Sequence, residues 1–169
     1  MDVFEFAMQM ELDGKAFYEK SAREINDEEL RKVLTMLAEE EDKHYTIFKR
    51  VREGKTGALK EGAAIHSKTL DAVKNIFVDM SNHTESRSFA KDEHSIWEKA
   101  LTIEQKSEEF YRERAEQETD SAKRDLLTMI ANEERNHIYL IDSVLTYMKF
   151  PDTFADSAQF KDFQSLEGH

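Results

Sequence analysis

The feature that most constrains this chain is an internal repeat. Residues 7–51 slide onto residues 100–144 at an offset of 93 with no gap, and fifteen of the 45 pairs are identical. Among them are Glu11/Glu104, Phe17/Phe110, Tyr18/Tyr111, Ala22/Ala115, Asp27/Asp120, Ala38/Ala131, Glu40/Glu133, Glu41/Glu134 and His44/His137. A register held over that length means two copies of one supersecondary unit, each needing the other to bury its apolar face.

Each copy reads as two helices. The first runs from about Val3 to Ile25, where Asn26 followed by Glu29 gives a capping-box spacing. The second runs to about Glu53, and Gly54 and Gly57 stop it. The second copy repeats the pattern from about Glu93 to Glu118 and, after a cap at Thr119 or Asp120, to Lys149 ahead of Pro151. The expected architecture is therefore all-α: a four-helix bundle over 1–149, built from hairpins 3–53 and 93–149. A crossover over 54–92 is long enough to run from end to end. Ile65, Leu70, Val73, Phe77 and Met80 form one apolar stripe within it, predicting a short helix at about 64–81. Residues 150–169 form a tail whose Phe150, Phe154, Phe160 and Phe163 argue against disorder. It is expected to pack on its own bundle or on that of a second subunit.

Each helix carries one apolar seam, and each seam is interrupted by acid. The second helix aligns Leu30, Leu34, Leu37, Glu41, His44, Phe48 and Val51; the fourth aligns Leu127, Ile130, Glu134, His137, Ile141, Val144 and Met148. The first gives Phe4, Ala7, Glu11, Gly14, Tyr18 and Ile25, and the third gives Trp97, Ala100, Glu104, Ser107 and Tyr111. Spacings of three and four put every one of these on a core-facing stripe. A buried carboxylate must be protonated, paired or bound to metal. Four glutamates and two histidines at matching heights call for a shared cationic neutraliser. Glu-x-x-His places both side chains on one helix face, and two such pairs plus two single glutamates make six ligands. Carboxylate oxygen with imidazole nitrogen suits iron or manganese, with zinc as a substitute. A metal-free bundle is the competing structural explanation, and it leaves six buried polar groups without an offset.

Neighbouring positions have two readings each. Tyr18 and Tyr111 lie two turns beyond a seam glutamate, either as core tyrosines or as hydrogen-bond donors to the ligand carboxylates. Gly14 and Ser107 are small either for close helix packing or to leave room for water, peroxide or dioxygen. Glu40 and Glu133 stand about 100° off the seam and are expected behind the ligands or at the surface. Phe17, Phe110 and Trp97 read as packing, and His66, His83, His94 and His169 as solvent-facing.

Composition narrows the partners. A formal charge of −12 with no Lys/Arg cluster argues against nucleic acid. No apolar run reaches the length of a membrane span, and Asp2, Glu5 and Glu11 fall where a leader would be basic and then apolar. A cytoplasmic protein with no membrane partner is the expectation. The absence of cysteine rules out thiolate metal sites and disulfides within this chain.

Together, Glu11-Leu-Asp-Gly-Lys-Ala-Phe17-Tyr18, Glu40-Glu41-Asp-Lys-His44, Glu104-Gln-Lys-Ser-Glu-Glu-Phe110-Tyr111 and Glu133-Glu134-Arg-Asn-His137 resemble the rubrerythrin-like branch of the ferritin-like superfamily over roughly residues 3–149. The resemblance implies a ferritin-like bundle holding two non-haem iron ions on Glu11, Glu41, His44, Glu104, Glu134 and His137, with Tyr18 and Tyr111 acting beside them. It implies an oxidoreductase reacting with hydrogen peroxide or dioxygen in oxidative-stress defence, and a homodimer. Iron binding, buffering or sensing without turnover is the alternative. Two departures matter. With no cysteine for a rubredoxin centre in this chain, the electron donor is expected to be a separate protein such as a rubredoxin. Rubrerythrin's additional glutamate, three residues after the third-helix ligand, is here Ser107, with Gly14 as its repeat mate, which weakens the peroxidase inference.

Overall fold

The computed structural model describes residues 2–55, 57, 72, 75, 76, 78, 79 and 89–151. Four long helices appear in the order α1 (Val3–Glu24), α2 (Glu28–Arg52), α3 (Lys91–Gln117) and α4 (Ser121–Lys149). The helix expected at 64–81 and the tail beyond Pro151 lie outside the described residues, apart from Ala72, Asn75, Ile76, Val78 and Asp79, which are helical. Ile76 is buried against the bundle core.

Local chemistry fixes the ends of each hairpin. Asp27 caps α2 by accepting the Leu30 N–H at 3.1 Å, and its repeat mate Asp120 caps α4 by accepting that of Lys123 at 3.0 Å. The sequence pointed to Asn26 for the first of these caps. Instead α2 begins one residue later, where an aspartate adds its charge to the cap, and the Asn26 N–H is held by the Glu93 carboxylate at 3.0 Å. Arg31 reaches back from α2 to the Ala22 and Ile25 carbonyls at 3.1 and 2.8 Å, closing the C-terminal end of α1.

Within each hairpin the helices pack along most of their length, and the hairpins meet through α1–α3 and α2–α4. Lys15 on α1 pairs with Asp42 on α2 at 2.8 Å. The equivalent positions of the second hairpin carry the same bridge with its polarity reversed, Glu108 on α3 to Arg135 on α4 at 2.9 Å. The repeat thus keeps the contact and exchanges the charges.

The seams close into a core of two apolar lobes. One gathers Ile25, Leu30, Val33, Leu34, Leu37, Trp97, Ile141, Val144 and Tyr147. The other gathers Phe4, Ala7, Ile47, Phe48, Leu126, Leu127 and Ile130. Every seam residue named from the sequence is buried except Val51, which is half-buried near the end of α2. The interrupting polar residues fall between the lobes.

Candidate metal centre

Each helix delivers its polar residues at one height. Glu11 comes from α1, Glu41 and His44 from α2, Glu104 from α3, and Glu134 and His137 from α4; none is more than 4% exposed. All six residues predicted from the sequence are brought together. The His44 and His137 rings lie nearly parallel, 5.9 Å apart at their centroids with an interplanar angle of 19°.

The donor atoms form two overlapping sets. Glu11, Glu41, His44 and Glu134 each offer one ligand atom within 4.8 Å of the others, and so do Glu41, Glu104, Glu134 and His137. Glu41 and Glu134 belong to both sets, the position a carboxylate must take to bridge two cations. His44 Nδ1 lies 3.5 Å from Glu11 and 3.4 Å from Glu134; His137 Nδ1 lies 3.5 Å from Glu104 and 3.3 Å from Glu134.

The hydrogen-bond inventory fits a pair of cations. Glu11 Oε2, Glu41 Oε1, Glu104 Oε2, both Glu134 oxygens and the Nδ1 atoms of His44 and His137 are buried without a hydrogen-bond partner. Buried polar atoms are rarely left so. Here the unsatisfied atoms converge, and they are carboxylate oxygens and imidazole nitrogens, the donor set of iron, manganese or zinc. Four carboxylates would balance the charge of two divalent ions.

Without a cation, protons take its place. Burial, reinforced by the charges of Glu11, Glu104 and Glu134, pushes the Glu41 carboxyl well up. Burial and the charges of Glu104 and Glu11 raise Glu134 to about 8. Burial also acts on Glu104, but the adjacent Glu134 carboxyl, the His137 charge and the Tyr18 hydroxyl outweigh it and bring that group down to about 2. Burial disfavours both imidazolium forms, and the surrounding carboxylates overcome it and raise His44 and His137.

The tyrosines resolve in favour of hydrogen bonding, across the hairpins. Tyr18 on α1 donates to Glu104 Oε1 on α3, and Tyr111 on α3 donates to Glu11 Oε1 on α1. This reciprocity requires α1 and α3 to run antiparallel about a local two-fold. Burial and the neighbouring carboxylates push both phenols well up, so each keeps its proton.

One feature differs from the sequence reading. Gly14 does not open space: an ideal Cβ there would lie 2.5 Å from Glu41 Oε2, so the glycine is filled by that carboxylate. Glu40 and Glu133, expected off the seam either behind the predicted ligands or at the surface, are both buried. Glu133 Oε2 is hydrogen-bonded to His44 Nε2, and Glu40 Oε1 accepts from Lys43 at 2.9 Å. Their signal in the sequence was identity at an off-seam repeat position, where a solvated helix face is free to vary.

None of the described helices is long and apolar enough to cross a membrane. No curated protein and no solved structure matches the chain. A profile of the rubrerythrin family matches residues 2–145, a span containing all six residues of the polar layer and both tyrosines. On that match, and on a core layer built from the donors such a centre needs, the chain belongs to the rubrerythrin family.

Proposed function

We propose that this protein is a non-haem di-iron oxidoreductase acting on hydrogen peroxide or dioxygen. In this reading Glu11, Glu41, His44, Glu104, Glu134 and His137 would hold the two ions, with Glu41 and Glu134 available to both. The observation that carries it is the pair of donor sets sharing Glu41 and Glu134. When bound, a ferrous pair supplies two electrons to a small oxidant, one from each ion.

The chain's own residues set the conditions. Tyr18 and Tyr111 fix the Glu104 and Glu11 carboxylates by one oxygen each, leaving Glu104 Oε2 and Glu11 Oε2 as donors. Both phenols keep a proton at Oη beside the layer, in reach of a ligand oxygen that gains basicity. The apolar lobes on either side exclude bulk water and strengthen every charge interaction inside. Electrons would come from a donor outside these residues, which hold no cysteine for a thiolate iron centre.

Loading with ferrous ion under anaerobic conditions, then mixing with hydrogen peroxide, is expected to give fast and stoichiometric ferric absorbance. A ferrous form untouched by peroxide and by dioxygen over minutes would refute the assignment. One observation favours the alternative of iron binding without turnover: Glu41 occupies the space at Gly14, which leaves less room for an oxidant. Sustained peroxide consumption with an added reductant separates the two, being expected of the oxidoreductase and absent from a buffer or sensor.

A further inference from the structure

The two halves of the centre are related by the repeat, yet their histidines are held differently. His44 Nε2 is hydrogen-bonded to Glu133 of α4, a carboxylate that is 3% exposed. The repeat mates are His137 and Glu40, and the mirrored contact is not made: His137 Nε2 is buried with no hydrogen-bond partner. The difference traces to one repeat position. Lys43, directly before His44, draws Glu40 Oε1 to 2.9 Å, whereas the residue before His137 is the uncharged Asn136.

Glu40, His44 and Glu133 together also have the spacing of a small cation site. Its charges are already matched. Lys43 sits against Glu40, and the His44 N–H points at Glu133, so a third metal ion would have to displace both. A carboxylate on the outer nitrogen of an imidazole has a different consequence. It fixes the ring's orientation and tautomer, presents the inner nitrogen to a metal and makes that nitrogen more basic.

We propose that Glu133 is a positioning residue that makes the two metal positions unequal. By accepting the Nε2–H of His44, it causes the Glu11–His44 position to take a divalent cation first and more tightly. The Glu104–His137 position, whose imidazole has no such partner, fills second. This rests on the reading of the polar layer as a metal centre.

The test is anaerobic titration of the full chain with cobalt(II), followed by its visible absorption, which reports ligand number and type at each step. The unaltered protein is expected to bind two equivalents in two resolved steps. His137→Ala should retain the tight step and His44→Ala should lose it. Glu133→Leu should weaken the tight step by about tenfold to a hundredfold and shift its spectrum, while the weak step moves little. Glu133→Gln, whose amide oxygen still accepts from Nε2, should recover part of the loss. Thermal unfolding of the chelated variants establishes that each is folded. If Glu133→Leu leaves both steps unchanged, or lowers both equally, the positioning role is wrong while the metal centre stands. If it removes a third bound equivalent, the cluster is a cation site and the proposal is overturned. Failure of the unaltered protein to bind cobalt at all would remove the metal centre itself.

Discussion

At the scale of single residues, Gly14 shows how a helix interior accommodates a buried carboxylate from its neighbour. Glycine costs a helix about 1 kcal/mol relative to alanine, and here it gives Glu41 a place to sit. Gly14→Ala should therefore separate two properties. In the chelated protein the helix gains up to about 1 kcal/mol of propensity, and the flexible Glu41 side chain can swing aside, so thermal stability should hold or rise. Metal affinity should fall, because the displaced oxygen belongs to the carboxylate shared by both donor sets. A loss of stability with affinity unchanged would show that Gly14 serves helix packing alone. The sequence revealed that this position is small and faces the core. It did not reveal what fills the space, because that depends on the rotamer of a residue on another helix.

At the scale of elements, the repeat made most of the architecture legible. The seams were readable because three- and four-residue spacing survives in both copies, and the acids and histidines stood out because, Gly14 and Ser107 aside, nothing else breaks those stripes. Helix ends were less legible by one or two residues: α3 starts at Lys91, ahead of the Glu93 anticipated, with Ala90 before it and no side-chain cap to announce the start. The Asp27 and Asp120 caps carry a measurable load. Asp27→Ala and Asp120→Ala should each lower the stability of the chelated protein by about 1 kcal/mol in denaturant unfolding, and additively, since they cap different helices. An effect confined to one of them would mean that only one hairpin end depends on its cap. The Lys15–Asp42 bridge, part-exposed on both sides, carries less. Its polarity-reversed mate was invisible to a search for identical pairs, because a bridge can be kept while both of its residues change.

At the scale of the whole molecule, the polar layer makes stability depend on pH and metal together. Glu41 and Glu134 hold protons in the metal-free fold well above the 4.5 of an unperturbed glutamate, Glu134 to about 8, and the two histidines hold theirs above 6.5. The fold therefore binds more protons than the unfolded chain across this window, and its stability falls as pH rises. Each extra proton steepens the fall by about 1.4 kcal/mol per pH unit. Glu104, lowered to about 2, acts in the opposite sense only below 4.5. The melting temperature of the chelated protein should drop between pH 5 and pH 8, and saturating divalent cation should largely remove the drop by binding the deprotonated forms. A flat profile without metal would show that these groups do not carry those protons. The polar layer itself was legible because burial of six polar side chains follows from their place on the seams. The roles of Glu133 and Lys43 were not, since they depend on contacts between side chains off the seams.

The most direct measurement is the number of iron ions bound per chain when metal-free protein is titrated with ferrous ion in the absence of oxygen. An equivalence point at two is expected, shifting to fewer in Glu134→Leu, which lacks a carboxylate belonging to both donor sets. An equivalence point of zero, or two ions still bound after loss of Glu134, would contradict this reading of the centre.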